Sequence, residues 1–412
     1  MARILIAGGS LGGLFAANML WRDGHDVLVL EKVRGDMNGR GAGIVTHDAL
    51  VEALARAGIG PQDATLGVEV PGRVLLREDG STHTHLEMPQ VLTSWSRLYE
   101  LLRKAFPAER YLQGVSALRA EDTGVGVVLH ADQDGRPVHW EGDLLVAGDG
   151  IRSTLRQQLF SHVQPRYAGY VAWRGVCDEA VLSRHTLESL FPYFGFSVPP
   201  SEQMIGYPVA GPRNETGPGQ RAYNYVWYRP APEGEPLRAL LTDADGQHHP
   251  QGIPPNKVSW RQVARMREDA QRLLAPQFAE IVQKTAMPFL QPIFDLVSER
   301  LCAGRIVLMG DAAFVGRPHI GMGVTKAAQD AQALADAVRQ MGPTPQALQH
   351  YETLRLPAGR NAVARARWLG AYLEGRAPAG FTEAERLRMA IEETAIDLGR
   401  YGARSHFKET TE

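Results

Sequence analysis

Three short segments of this 412-residue chain join glycines to an acid in patterns that handle phosphates and sugar hydroxyls. The first is Gly8-Gly9-Ser10-Leu11-Gly12-Gly13, with Glu31 lying 23 residues after Gly8. Gly8 permits a tight turn, Gly13 lets a helix pack close to a strand, and free N–H groups at the helix start, near Ser10 and Leu11, meet a pyrophosphate. Glu31 would accept hydrogen bonds from a ribose diol. Ser10 stands where the fingerprint has its second glycine, so either its hydroxyl donates to a phosphate oxygen or the turn is wider. The second segment is Gly148-Asp149-Gly150, and the third is Gly310-Asp311, followed by Pro318, Gly321 and Gly323.

The elements needed to position these residues are legible around them. Residues 3–7 are an apolar run that reads as a buried parallel strand. An apolar-rich helix follows, then a strand from Val27 to Leu30 ending at Glu31. Strand, turn, helix, strand and terminal acid together favour a dinucleotide over an unliganded glycine turn. Leu144 to Ala147 reads as a strand before the sharp turn at Asp149-Gly150, with a helix starting at Ser153. Ile306 to Met309 reads as a strand ending in Asp311, and a loop leads to a helix from about Val324. An acid at the carboxyl end of a parallel strand lies where open α/β sheets bind ligands.

Composition narrows the classes. The length suggests two or three domains, and 44% hydrophobic with 22% charged residues is ordinary globular material. A formal net charge of −2 argues against nucleic acid or an anionic membrane as the main partner. Cys177 and Cys302 are the only cysteines and have no metal-ligand or redox spacing, so two packed thiols in a reducing cytoplasm and no metal site are expected. The chain opens on a core strand, so no cleavable signal is expected, and no apolar stretch approaches a bilayer span.

These motifs, in this order, resemble those of the single-component flavoprotein aromatic hydroxylases of the para-hydroxybenzoate hydroxylase type. The resemblance implies FAD as cofactor, NADH or NADPH as co-substrate, and hydroxylation of a small hydroxylated aromatic ring by O₂ through a flavin hydroperoxide. It implies that Asp149 and Gly150 serve both flavin and pyridine nucleotide, and that Asp311 binds the FAD ribityl chain. Backbone N–H groups near Gly321 and Gly323 would meet the flavin ring, Arg97 in SWSRLYELLR would touch the pyrophosphate, and RGAGI, with Arg40, Gly43 and Ile44, would pass the ring. Two departures stand out. The second motif reads AGDG rather than GADG, and Phe314 replaces a histidine while Pro318-His319 follows later. The GDAA…RPH…K variant and YAGYVAWRGV most resemble a pyridine-catabolic branch, which points to a hydroxypyridine. Hydroxybenzoate, salicylate and hydroxynicotinate rings are alternatives. A flavin halogenase is less favoured, since AWRGV is not its tryptophan motif, and so is a non-enzymatic flavin-binding regulator.

The fold expected is α/β: a Rossmann-like FAD-binding domain (1–70, 92–170 and 278–350) interleaved with an antiparallel β-sheet substrate domain (71–91 and 171–277), plus a C-terminal helical region (351–412). Arg355, Arg360, Arg365 and Arg367 in that last region read as a solvated helix face. No second dinucleotide turn exists, so NAD(P)H would use a transient site near the flavin. A homodimer stays open.

The chemistry asks for a base, because a ring oxyanion is the better nucleophile. His47 follows RGAGIVT, and is either that base or a solvent-facing helix start. His319 sits between Pro318 and the glycines, and is either a base or a loop anchor. Tyr207 and Tyr225 are the first choices for substrate contact, with core packing as the alternative.

Overall fold

The computed structural model describes residues 1–35, 37, 43–60, 65–375 and 381–401. Its first sheet has six strands in the order Cys302–Ala303, Ile306–Leu308, Leu144–Ala147, Arg3–Ala7, Asp26–Glu31 and Tyr111–Gln113. All pairings are parallel except that of the Cys302–Ala303 edge. Arg3–Ala7 is central because its apolar side chains are buried on both faces, as a strand between helical layers must be. Helix Leu11–Arg22 packs against helix Gly323–Met341, which places two helix starts above the same strand ends.

The second sheet has nine strands in the order Phe314–Val315, Phe289–Val297, Arg166–Asp178, Ala222–Pro230, Gln203–Val209, Phe194–Ser197, Val68–Leu76, Thr82–Ser94 and Gly43–Val45. It is antiparallel apart from the pairing of Phe194–Ser197 with Val68–Leu76. Helices Trp260–Leu273 and Pro276–Lys284 cover one face of this sheet through Val263, Met266, Phe278 and Ile281. The other face turns toward the first sheet. A separate three-stranded meander runs through 115–142.

The strand ladder crosses the domain division expected from sequence. Gly43–Val45, Phe289–Val297 and Phe314–Val315 come from segments assigned to the FAD-binding domain, yet all pair within the large sheet. The ladder is set by backbone pairing and not by composition, so the segment that carries Pro318 to Gly323 starts from that sheet's edge.

The C-terminal arginines correct a second expectation. Arg360 and Arg367 are exposed, as a solvated face requires, but Arg355 and Arg365 are turned inward. Arg355 binds Asp330 at 2.7 Å, Arg365 binds Glu393 at 2.7 Å with both side chains buried, and Arg367 binds Asp295. Helix Pro345–Gly370 lies against the sheet edge, so Arg355, Arg365 and Arg367 reach buried carboxylates while Arg360 stays in solvent.

Candidate active site

The first glycine turn is shaped by close approaches that admit no side chain. A Cβ on Gly8 would stand 2.3 Å from the Gly148 carbonyl oxygen, and Gly8 has φ +102°. A Cβ on Gly13 would stand 1.9 Å from the Gly8 carbonyl oxygen. Ser10 is the N-cap residue of helix Leu11–Arg22 but makes no side-chain cap bond, which leaves both its hydroxyl and the helix's first N–H groups available. Glu31 is buried at the end of its strand, where its carboxylate accepts the Gly9 N–H at 2.7 Å and the Val33 N–H at 2.8 Å. A carboxylate has about four acceptor positions, so capacity remains for a diol.

The other two acids sit at neighbouring strand ends. Asp149 follows Leu144–Ala147, and its Oδ2 accepts the Leu155 N–H while Oδ1 is buried with no partner among the described residues. Gly150 follows at φ +84°. Asp311 follows Ile306–Leu308 and faces the open cleft. Protein ringing that carboxyl raises its pKa, Lys326 opposes the shift and Asp330 adds to it. Behind it, buried Lys326 donates to the Gly310 carbonyl at 3.0 Å, and Asp330 accepts the Gly310 N–H at 3.1 Å. Arg355 completes this network on Asp330. The turn that presents Asp311 is therefore held from below by buried Lys326 and Asp330, with half-buried Arg355 behind them.

The glycine loop faces two ways. Gly321 has φ +62°, and a Cβ there would meet the Ala395 Cβ at 2.5 Å; at Gly323 a Cβ would meet nothing within 4 Å. Gly323 opens helix Gly323–Met341, whose N-cap Met322 supplies no side-chain bond. Uncapped helix N–H groups thus point at the cleft. The C-terminal stretch forms the far wall. The Ala395 N–H donates to the His319 carbonyl at 2.8 Å, and fully buried Arg73 donates to the carbonyls of Ile391, Thr394 and Ala395 and to Gln90.

Some expected residues sit elsewhere. Arg97 spends its guanidinium on the Thr65 carbonyl and on Glu100, and it is its neighbour Trp95 that lines the cleft. Arg40 lies outside the described residues, while Gly43 and Ile44 line the cleft. Neither histidine reaches it. His47 is not a solvent-facing helix start. It is the N-cap residue of helix Asp48–Arg56, buried with Nδ1 2.8 Å from the Thr325 hydroxyl, and burial lowers its pKa to about 4. His319 is fully buried behind the loop. Its Nε2 meets the Tyr170 hydroxyl at 2.8 Å and its Nδ1 meets Gln203 Oε1 at 2.9 Å. Burial, with the nearby Arg317 charge, lowers its pKa to about 3. Pro318 starts a 3₁₀ turn that rotates the ring inward, away from the position a base needs.

The two tyrosines lie on opposite faces of one sheet. Tyr207 pairs with Asn224, Ile205 with Val226 and Gln203 with Tyr228, and this row faces the cleft. Tyr225 pairs with Gly206 and Gly175 and packs with Trp227 beneath the covering helices, which corrects its assignment to substrate. Sequence reasoning missed Tyr228, Arg174, Phe194 and Ile205. The strands of Tyr228, Ile205 and Phe194 are buried on both faces, so alternation gave no outward side there. The only usable signal was parity with Tyr207 across the hairpin.

Together these residues enclose a cleft of about 720 Å³ between the sheets. Asp311, Gly321 and Gly323 border one side; Tyr207, Tyr228 and Arg174 border the other. Burial raises the pKa of both tyrosines, with Arg174 opposing, so both phenols stay neutral donors.

A family model described as "FAD binding domain-like" matches residues 167–295. A 2,6-dihydroxypyridine 3-monooxygenase of Paenarthrobacter nicotinovorans is 29% identical over 380 residues, covering 90% of this chain and 91% of that protein. An aurachin C monooxygenase/isomerase of Stigmatella aurantiaca is 29% identical over 379 residues, covering 88% and 87%. The solved structure of 2,6-dihydroxypyridine-3-hydroxylase from Arthrobacter nicotinovorans superposes with a TM-score of 0.84 at 27% identity, covering 92% of this chain and 95% of that one.

Proposed function

We propose that this chain, which belongs to the single-component FAD-dependent aromatic monooxygenases, hydroxylates a small hydroxypyridine such as 2,6-dihydroxypyridine. The reaction consumes the ring, O₂, NAD(P)H and a proton, and yields the hydroxylated ring, NAD(P)⁺ and water. The observation that carries the reading is the cleft itself, in which Asp311, Gly321 and Gly323 face Tyr207 and Tyr228. The similarity to a 2,6-dihydroxypyridine 3-monooxygenase supports the ring class.

The residues present fit FAD. Gly8 and Gly13 leave backbone N–H groups unobstructed at a helix start, Asp149 Oδ1 is a buried acceptor with no partner among the described residues, and Asp311 opens on the cleft. Glu31 would hold the ribose diol, Asp311 the ribityl hydroxyls, and the N–H groups at Gly321 and Gly323 the ring edge. Held there, FAD would supply hydride acceptance from NAD(P)H and activation of O₂. The chain does the rest. Phe194, Ile205, Val226 and Ile293 line the cleft with apolar surface that excludes water from the reacting ring. Tyr207 donates to a ring oxygen and holds the ring at fixed distance from the glycine loop. Neutral phenols and Arg174 favour the substrate with its hydroxyl deprotonated, so the ring carbon is nucleophilic without a histidine base.

The test is NAD(P)H consumption by FAD-loaded protein under labelled dioxygen, with 2,6-dihydroxypyridine and with hydroxylated benzoates. The expected product carries one labelled oxygen atom. Label found only in water or hydrogen peroxide for every ring would refute the reading.

A further inference from the structure

Three buried polar groups on the cleft face, the Tyr228 hydroxyl, Arg174 Nε and Asn224 Nδ2, have no partner among the described residues, and the first two belong to residues that line the cleft. The Tyr228 hydroxyl belongs to a fully buried residue that lines the cleft, yet it bonds to nothing among the described residues. Its ring is fixed from behind, 4.2 Å from the His319 ring and edge-on to Tyr170 at 6.0 Å. The Arg174 Nε is likewise buried and unbonded, while Nη1 of the same guanidinium donates to Gln291 at 2.8 Å. Leaving a buried donor unsatisfied destabilises the fold. Folds seldom retain such groups unless a ligand or water meets them.

The sheet register places these donors around an apolar floor. Arg174, Val226 and Ile205 form one row across three strands. Tyr228 lies two residues along from Val226, next to that row, and Tyr207 lies two residues along from Ile205 on the opposite side. A flat ring resting on Val226 and Ile205 would therefore meet a phenol at each of two edges and a guanidinium at a third. The nearby His319 cannot compete for the Tyr228 hydroxyl, because Tyr170 and Gln203 occupy both its ring nitrogens.

We infer that Tyr228 and Arg174 read the oxygen substituents of the substrate, Tyr228 by donating to a second ring oxygen and Arg174 by balancing the ring's negative charge. With Tyr207 at the other edge, the site selects a small aromatic ring that carries two oxygen substituents and binds as an anion. This inference rests on the aromatic hydroxylase reading. It adds which atoms choose the ring.

Calorimetric titration of the FAD-loaded protein tests it, with 2,6-dihydroxypyridine and 2-hydroxypyridine as probes. The parent should bind the dioxygenated ring more tightly. In Tyr228→Phe that preference should collapse toward unity, with a loss of about tenfold to a hundredfold for the dioxygenated ring. Arg174→Gln should weaken both rings by a similar factor. The thermal midpoint of ligand-free Tyr228→Phe should be unchanged or higher, because the variant removes an unsatisfied hydroxyl. A preference retained in Tyr228→Phe overturns the assignment. So does a lowered midpoint, which would make the hydroxyl structural, and so does a parent that binds neither probe. Label incorporation, measured separately on the parent, reports whether the hydroxylase reading itself stands.

Discussion

The Tyr170 hydroxyl lies 2.8 Å from Nε2 of His319, and Gln203 Oε1 lies 2.9 Å from Nδ1 of the same ring. Gln203 Nε2 is directed at the Thr394 hydroxyl, so its Oε1 accepts Nδ1–H and Nε2 accepts the tyrosine O–H. Both nitrogens are committed to neutral partners. A ring in that state anchors a loop and has no lone pair to offer a substrate proton.

The anchoring role has a pH signature. Burial and Arg317 hold the folded pKa at about 3, against an ordinary value of 6.5. The unfolded chain takes up a proton below pH 6.5, and the folded chain does not until about pH 3. This contribution to stability is fully present above pH 6.5 and is lost as pH falls toward 3, by about 1.4 kcal/mol per pH unit. His319→Gln should flatten the fall of thermal midpoint between pH 6.5 and 4.5. His319→Ala should lose FAD, midpoint and activity together. Normal FAD content with activity down by about 10²–10⁴-fold would instead restore the base.

What was legible in the sequence is what backbone geometry dictates locally. Gly8 and Gly13 announce themselves because any side chain there collides with the Gly148 or Gly8 carbonyl. Asp311 is legible because it ends a short apolar run. Tyr228 was not, since its strand is buried on both faces and the choice of face depends on helices 30 residues or more away. The direction of the His319 ring was hidden too. Its neighbours placed the loop beside the flavin site, but Tyr170 and Gln203, which turn the ring away, come from two other strands.

The face of the sheet can be read by paired substitutions. Tyr207 and Tyr225 lie on neighbouring strands and point to opposite sides. Tyr207→Phe should weaken binding of 2,6-dihydroxypyridine by about tenfold, the effect of losing one donor to a charged oxygen. Tyr225→Phe should leave that dissociation constant within about twofold. The reverse pattern in calorimetry would place the ring behind the sheet and remove the present assignment.

FAD retention should track the two acids. Asp311→Ala removes a charge-assisted acceptor contributing about 1.5–3 kcal/mol, so apparent FAD affinity should fall by at least tenfold. Glu31→Gln should fall less, because one carbonyl acceptor remains, although it also loosens the Gly9 and Val33 N–H bonds. Fluorescence titration of apoprotein with FAD measures both. Unchanged affinity in Asp311→Ala would remove that residue from the cofactor site.

Arg73 supplies the last prediction. Its guanidinium is buried completely and donates to three carbonyls at the start of the C-terminal turn, at 2.7, 2.7 and 3.0 Å, while Gln90 takes the remaining fork. That turn holds Ala395 at φ +49°, a conformation non-glycine residues seldom adopt. Ala395 in turn donates to the His319 carbonyl and fills the space behind Gly321. The fork of one arginine thus fixes the wall on which the glycine loop rests. Arg73→Lys keeps the charge but replaces a planar fork with a single ammonium, which cannot reach all four acceptors. Leaving one or two buried carbonyls unsatisfied should cost about 2–5 kcal/mol. With the wall loosened, Gly321 loses its backing, so FAD should dissociate faster and less product should form per NAD(P)H consumed. Stopped-flow fluorescence of FAD release, alongside the thermal midpoint, separates the outcomes. A lower midpoint with an unchanged FAD release rate would confine Arg73 to stability and detach the C-terminal turn from the flavin loop.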